Sequence, residues 1–383
     1  MRFFHLSDLH IGRYLHGYSL ADQQREILAQ IVQWAKKERP DAIVIAGDIY
    51  DKPSPSGEAV LLFDRFLTEL SRLKPQIPVM IISGNHDSPK RLQYAGALLK
   101  EHQIYLAAQP PGKEEDYLSK LILTDKYGEI VFYMLPYIRP QAVRQALEEG
   151  QTDSYHRAVK GLLERENPDW NKRNVLIAHQ FFTAGSFRPQ TSDSETIHVG
   201  GMDNVDIEAV HQFDYVALGH IHGAQKVKES HIRYCGSPMK YSVSEWRQEK
   251  GILLVEMGKK GEPLMYRTLP LAAPKDVVKK KGTLKEILAE GKCGDFVSVT
   301  LTDEKELYQP REILEEYFPN LLEVKVENKR TKKMFEEETE ISWDDDPMTV
   351  FEQFFREMQG RDMTEEERSV MKETAEKAGE EKV

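Results

Sequence analysis

Cysteine is scarce in this chain, with only Cys235 and Cys293 in 383 residues, far apart and outside any CxxC pattern. That excludes a disulfide framework and fits a reducing cytoplasm. Long apolar runs are missing too. No stretch approaches the ~18–20 residues that span a bilayer, so no membrane partner is expected. The opening MRFFHLSDLHIG turns polar within a few residues and carries no signal-peptide apolar region. Helix-turn-helix and zinc-finger signatures are absent, so sequence-specific DNA reading is not expected. The net charge of −11 lies in the tail: residues 336–383 hold 17 Asp and Glu against 6 Lys and Arg, and the first 335 residues balance at 46 of each sign. An acidic pI therefore does not exclude a polyanionic substrate.

What is present is a regular alternation of short apolar runs and helical patterns over the first ~270 residues, which predicts an α/β domain. The strands expected are Arg2–Leu6, Ala42–Ala46, Val79–Ile82, Leu121–Leu123, Ile130–Leu135, Val175–Ala178, Tyr215–Leu218 and Ile252–Glu256. Helices are expected over Leu20–Glu38, Gly57–Leu73 and Lys90–Glu101. The second helix is apolar over a wide arc, from Val60 to Leu70. Such an arc suits burial between two layers or contact with a second subunit. The segment LPLAAPKD (269–276) reads as a linker. A small α+β unit follows at 275–335, then an acidic stretch and a helical tail at 345–383. Asp346 and Pro347 open its first helix, and Thr364 with Glu367 forms a capping box for the second.

Five polar clusters each follow an apolar strand: SDLHIG (7–12), AGDIYD (46–51), SGNHDS (83–88), AHQFF (178–182) and LGHIHG (218–223). Ligands of open α/β sheets collect outside the carboxyl ends of strands. These clusters would bring together Asp8, His10, Asp48, Asn85, His86, His179, His220 and His222. Asp8 and His10, like His220 and His222, are spaced i, i+2, so an extended chain would project both to one side with an apolar residue between them. Gly47, Gly84 and Gly219 precede ligands where a tight bend is expected. Mixed imidazole and oxygen donors suit Mn, Fe or Zn and not an all-oxygen cage. With His86 set aside, two Asp, one Asn and four His make seven donors, too many for one such ion and enough for two, roughly 3.5–4 Å apart, that could carry phosphoester hydrolysis. Asp87 is expected to cap the following helix.

The ordered pattern D-x-H, GD-x-x-D, GNHD, a lone His and GH-x-H resembles the calcineurin-type metallophosphoesterases over residues 1 to ~270. The resemblance implies a four-layer β-sandwich flanked by helices. It implies Asp8, His10, Asp48 and His222 on one metal, and Asp48, Asn85, His179 and His220 on the other, bridged by Asp48. It also implies His86 as proton donor to the leaving oxygen, oriented by Asp51. Within that family, DLHIGRYLHGYSLADQQREIL, GDIYDKPSPSGEAV and YCGSPMKYSVSE are similar to the Mre-type double-strand-break nucleases. That likeness implies Mn²⁺-dependent cleavage of DNA, exonucleolytic at duplex ends and endonucleolytic on hairpins or single strands. It further implies a homodimer packed through helices of the second and third crossovers, a DNA-capping domain at 275–335, and C-terminal helices that bind a coiled-coil ATPase gating the reaction with ATP. Some relatives carry His where Asp51 stands.

Candidate DNA contacts are Arg13 and Tyr14 just past the first motif, Lys52 past the second, Lys90 and Arg91 past the third, and Lys240 and Tyr241 in the loop after the fifth. They would grip phosphates without reading bases; the alternative is a solvated surface. In the tail, Phe351, Phe354, Phe355 and Met358 form an apolar face for a partner groove or for the chain's own body. Two other functions share the fold. A phosphatase would carry GDxxDRG and GNHE, where this chain has Tyr50–Asp51–Lys52–Pro53 and GNHD. A non-catalytic scaffold would have lost the histidine at 86, which is intact.

Overall fold

The computed structural model describes residues 1–195, 203–305 and 307–328 and, in the tail, 352, 355–356, 361–365 and 367–371. Contacts divide it into two compact units. The first comprises Met1–Lys280 with Lys292–Val299 and Leu314–Glu323, so it runs past the boundary expected at 270. The second comprises Lys281–Gly291, Thr300–Ile313 and Val324–Val383.

The first unit is built on two six-stranded sheets. One has the order Met265–Pro270, Gly251–Glu256, Arg2–Leu6, Ala42–Ala46, Val79–Ile82, Ile104–Ala107. The last four of these run parallel. The other has the order Gln225–Val227, Glu229–Tyr234, Tyr215–Gly219, Arg173–His179, Gly128–Leu135, Ser119–Asp125, with its four inner strands parallel.

Strand periodicity sorts the side chains into layers. Phe3, Val44, Met80 and Ile82 meet Phe132, Val175, Ile177 and Tyr215 in a core between the sheets. Their neighbours Phe4, Ile43, Ile45 and Ile81 pack outward on Ile27, Ile31, Phe63 and Phe66 of the helices Ala21–Glu38 and Gly57–Ser71. On the other sheet Tyr133, Leu176 and Val216 pack on Val159 and Leu162 of helix Tyr155–Arg165. Each large buried side chain contributes about 1.5–3 kcal/mol. The result is the four-layer arrangement of helix, sheet, sheet and helix.

Several elements differ from expectation. The helix expected over Lys90–Glu101 is two pieces, Pro89–Leu92 and Gly96–Glu101. The amide of Gln93 donates to the Leu106 carbonyl and accepts from Ala108 N, and Ala95 turns the chain with φ 58°. The supposed linker at 269 is ordered: Pro270 ends a strand and its carbonyl accepts from Trp34 Nε1 at 3.0 Å. In helix Gly57–Ser71, Ser56 caps Ala59 N, Phe63 and Phe66 are buried, and Val60 and Leu61 remain 43% and 57% exposed.

Beyond residue 276, strands Val277–Gly282, Phe296–Leu301 and Leu321–Val326 pair in that order, with helices Leu284–Ala289 and Pro310–Glu315 between them. In the tail, Phe355 is half-buried and Thr364 and Glu367 make the expected capping box. Phe351, Phe354, Met358, Asp346 and Pro347 lie outside the described residues. No described helix is long and apolar enough to cross a membrane.

Candidate metal centre

The five motifs converge at the carboxyl ends of central parallel strands, three from one sheet and two from the other. Asp8, His10, Asp48, His179, His220 and His222 are all at most 5% exposed, while Asn85 and His86 are half-buried. Contrary to expectation, the i, i+2 pairs are not extended. Asp8, His10, Asp48 and His220 have φ of 55°, 40°, 50° and 100°. Backbone in this region is costly for residues with a Cβ and is held by its surroundings. Here the surroundings are the neighbouring loops: Asp8 N donates to Gly47 O and His10 N to Asp48 O, both at 3.0 Å, and His86 N donates to Asp48 Oδ1 at 2.9 Å. Leu9 and Ile221 are buried between the paired donors, as their spacing requires. Gly84 and Gly219 serve close approach, since a Cβ on the first would overlap the Asp48 carboxylate and on the second the Ala46 carbonyl.

Asp48 is the shared group. Its Oδ2 lies 3.5 Å from His10 Nε2 and 3.3 Å from His179 Nε2. On one side His10 Nε2 faces His222 Nε2 at 3.1 Å, with the Asp8 carboxylate within reach of both rings. On the other, Asn85 Oδ1 lies 3.1 Å from His179 Nε2 and 3.0 Å from His220 Nδ1. His179 Nδ1 lies 2.7 Å from the Ala46 carbonyl and donates to it, which turns Nε2 toward Asp48 and Asn85.

Burial pushes His220 down to about 3 and His10 well below the ordinary imidazole range. For His179 burial acts the same way, but the Asp48 carboxylate outweighs it and raises the ring to about 9. The donor set fits divalent cations on the chain's own chemistry. Imidazole nitrogens and carboxylate oxygens are aimed at common points in a buried cleft, within 4.8 Å of one another in each group of three.

His86 stands beside this cluster with its ring centroid 4.8 Å from that of His10. Its Nδ1 lies 2.8 Å from the backbone carbonyl of Asp51. The Asp51 carboxylate, which had been expected to orient His86, is instead held by Arg13 Nη1 at 2.8 Å. Asp87 does not cap a helix. Its carboxylate accepts from Ile49, Tyr50 and Gly84 N–H and ties the loop of Asp48 to that of Asn85.

A family model for calcineurin-like phosphoesterases matches residues 1–224. The chain is 31% identical over 366 residues to the SbcD subunit of the nuclease SbcCD from Staphylococcus epidermidis, covering 94% of this chain and 93% of that one. It is 27% identical over 376 residues to the protein of the same name in Staphylococcus saprophyticus, covering 95% of each. This chain belongs to the calcineurin-like phosphoesterase family, in its SbcD group. A second model, described as a type 5 capsule protein repressor C-terminal domain, matches residues 273–359.

The expected DNA contacts separate into two sets. Tyr14 is 61% exposed, and Lys52, Lys90 and Arg91 are also exposed. Tyr241 is 2% exposed, so the expected contact with substrate is excluded; its hydroxyl donates to the Leu9 carbonyl and its ring packs on His10 and His222. Lys240 donates to Trp246 O at 2.7 Å and pairs with Asp276 at 2.8 Å. Arg13 is largely committed to Asp51.

Four residues that sequence reasoning passed over surround His222. Its Nδ1 is 2.7 Å from Ser194 Oγ, its N–H donates to Glu195 at 2.6 Å, and its carbonyl accepts from Lys250 Nζ at 2.9 Å. Lys250 pairs with the fully buried Glu245 at 2.5 Å. Only Glu245 carried a signal, as the last residue of YCGSPMKYSVSE.

Proposed function

We propose that this chain is the nuclease subunit of an SbcCD-type DNA end-processing complex. In this reading it hydrolyses phosphodiesters with two divalent cations, Mn²⁺ at work in the cell, as an exonuclease on duplex ends and an endonuclease on hairpins and single strands. The observation that carries it is the convergence on Asp48 of buried donors from five strand ends, with one half-buried histidine, His86, beside them. Asp8, His10, Asp48 and His222 would hold one cation, and Asp48, Asn85, His179 and His220 the other. Bound there, the cations supply the Lewis acidity that polarises a phosphoryl oxygen and lowers the pKa of water.

The chain's own groups do the rest. The Asp51 carbonyl takes the Nδ1–H of His86, which leaves Nε2 of the imidazolium to deliver its proton to the departing oxygen. Tyr14, Lys52, Lys90 and Arg91 grip backbone phosphates, so cleavage is not sequence-specific. The relatives' name describes a subunit, which supports an SbcC-like ATPase partner that docks on the tail at 345–383 through Phe351, Phe354, Phe355 and Met358. Exposed Val60 and Leu61 support a homodimer through helix Gly57–Ser71. Two free thiols support a cytoplasmic setting.

The test sets Mn²⁺-loaded protein against linear duplex, hairpin DNA and a phosphoserine peptide, beside His86→Ala. DNA cleavage falls about 10²–10⁴-fold in the variant while its metal content is kept. Robust peptide dephosphorylation with untouched DNA overturns the reading.

A further inference from the structure

We infer that Glu245, acting through Ser194, is a positioning residue that fixes which nitrogen of His222 can hold a cation. The inference rests on the cation site proposed above and goes beyond its ligand set. Ser194 Oγ lies 2.6 Å from Glu245 Oε1 and 2.7 Å from His222 Nδ1. A hydroxyl has one proton to give. Glu245 is buried and paired with Lys250, so it is an ionised carboxylate and only accepts. The hydroxyl proton must therefore point at Glu245, and Ser194 Oγ must accept from His222. That requires the proton of His222 to sit on Nδ1. Its lone pair is then on Nε2, the atom that faces His10 Nε2 at 3.1 Å. The opposite tautomer would set a hydrogen atom where the cation belongs.

The relay is built to hold this state. Glu245 Oε1 also accepts from Tyr241 N at 3.2 Å and Ser242 Oγ at 3.1 Å. Lys250 Nζ reaches Glu245 Oε2, Ser237 Oγ, Gln248 Oε1 and the His222 carbonyl, all within 2.9 Å. The carboxylate is thus neutralised from the side away from the ring, and His222 is pinned at its backbone N–H and C=O and at its ring Nδ1. A partner on the far nitrogen of a ligating histidine sets tautomer and orientation, and its loss costs about 10–100-fold in metal affinity. Glu245→Gln alone would leave Lys250 buried without its counter-ion and would keep an oxygen that accepts from Ser194, so the informative variant is Glu245→Leu with Lys250→Met.

Two measurements on the full chain test this. Mn²⁺ is titrated calorimetrically into wild type and the double variant. Nitrogen NMR of ¹⁵N-histidine protein, with His222→Gln to assign the signal, reads the tautomer before any Mn²⁺ is added. Wild type takes up two ions and shows His222 protonated on Nδ1; the double variant loses about 10–100-fold at one site and keeps the other. A wild type that carries the His222 proton on Nε2, or a double variant that binds both ions as tightly as wild type, overturns this inference alone. A wild type that takes up no Mn²⁺ overturns the cation site with it. Should the double variant fail to fold, the wild-type tautomer decides.

Discussion

The donor cluster and the polar bed behind His222 meet at one imidazole, yet they are built by opposite means. The donors sit where parallel strands end, each beside a residue that announces the turn, and four of them bend into left-handed backbone. The bed is assembled from two distant segments, 190–195 and 241–250, joined to each other and to His222 through side-chain hydrogen bonds. The first solution makes geometry with the backbone and spends strain on it. The second makes geometry with charge, and its safety lies in leaving no member unpartnered.

The sharpest way to break the contrast is at Asp48, the group both halves of the cluster share. Asp48→Asn is expected to remove tight Mn²⁺ binding at both positions, read by titration. DNA cleavage should fall by more than about 10⁴-fold, beyond the loss of one proton-transfer group. Retention of one tight site would show that the two halves are independent. The bed is tested by stability. Lys250→Met is expected to cost about 3–5 kcal/mol in urea unfolding, because Glu245 stays buried and charged, and adding Glu245→Gln should return part of it. Equal losses in single and double variants would mean that the pair is not an ion pair.

The smallest effect belongs to a pair at the other end of strand Arg173–His179, a buried Arg173 and a half-buried Asp125. Arg173 holds both oxygens of Asp125 at 2.5 and 3.1 Å and keeps its carboxyl below the ordinary range. A lowered folded pKa stabilises above the unfolded value, near 3.9, and that stability is lost as pH falls through the folded value. Asp125→Asn is therefore expected to be about 2 kcal/mol less stable at pH 7, with the gap to wild type closing below about pH 4. Mn²⁺ uptake should not change, since the pair sits at the start of the strand that ends in His179.

The ligand-bearing strand ends were legible because two signals coincide there. A short apolar run marks the strand, and cation chemistry restricts the next residues to Asp, His or Asn. Conformation was not legible. Spacing placed Asp8 and His10 together but suggested an extended chain, whereas hydrogen bonds to the Asp48 loop hold them in left-handed turns. Asp51 was placed beside His86 by the motif, but only the folded chain shows that its carbonyl and not its carboxylate makes the contact. Tyr241 follows a motif and reads as exposed, yet the rings of His10 and His222 bury it. Ser194 lies 28 residues from His222 in a segment with no period or motif. Such common polar residues gain meaning only from what the fold sets against them.

Because Asp8, Asp48 and Asn85 come from one sheet and His179, His220 and His222 from the other, the cleft works as a rivet through the sandwich. Prying the layers apart and scattering the donors are one event. Any ion that prefers the assembled cleft therefore tightens the whole β-core by mass action, by about 2.7 kcal/mol at a hundredfold excess over its Kd. Heat resistance should then track cation supply as closely as turnover does.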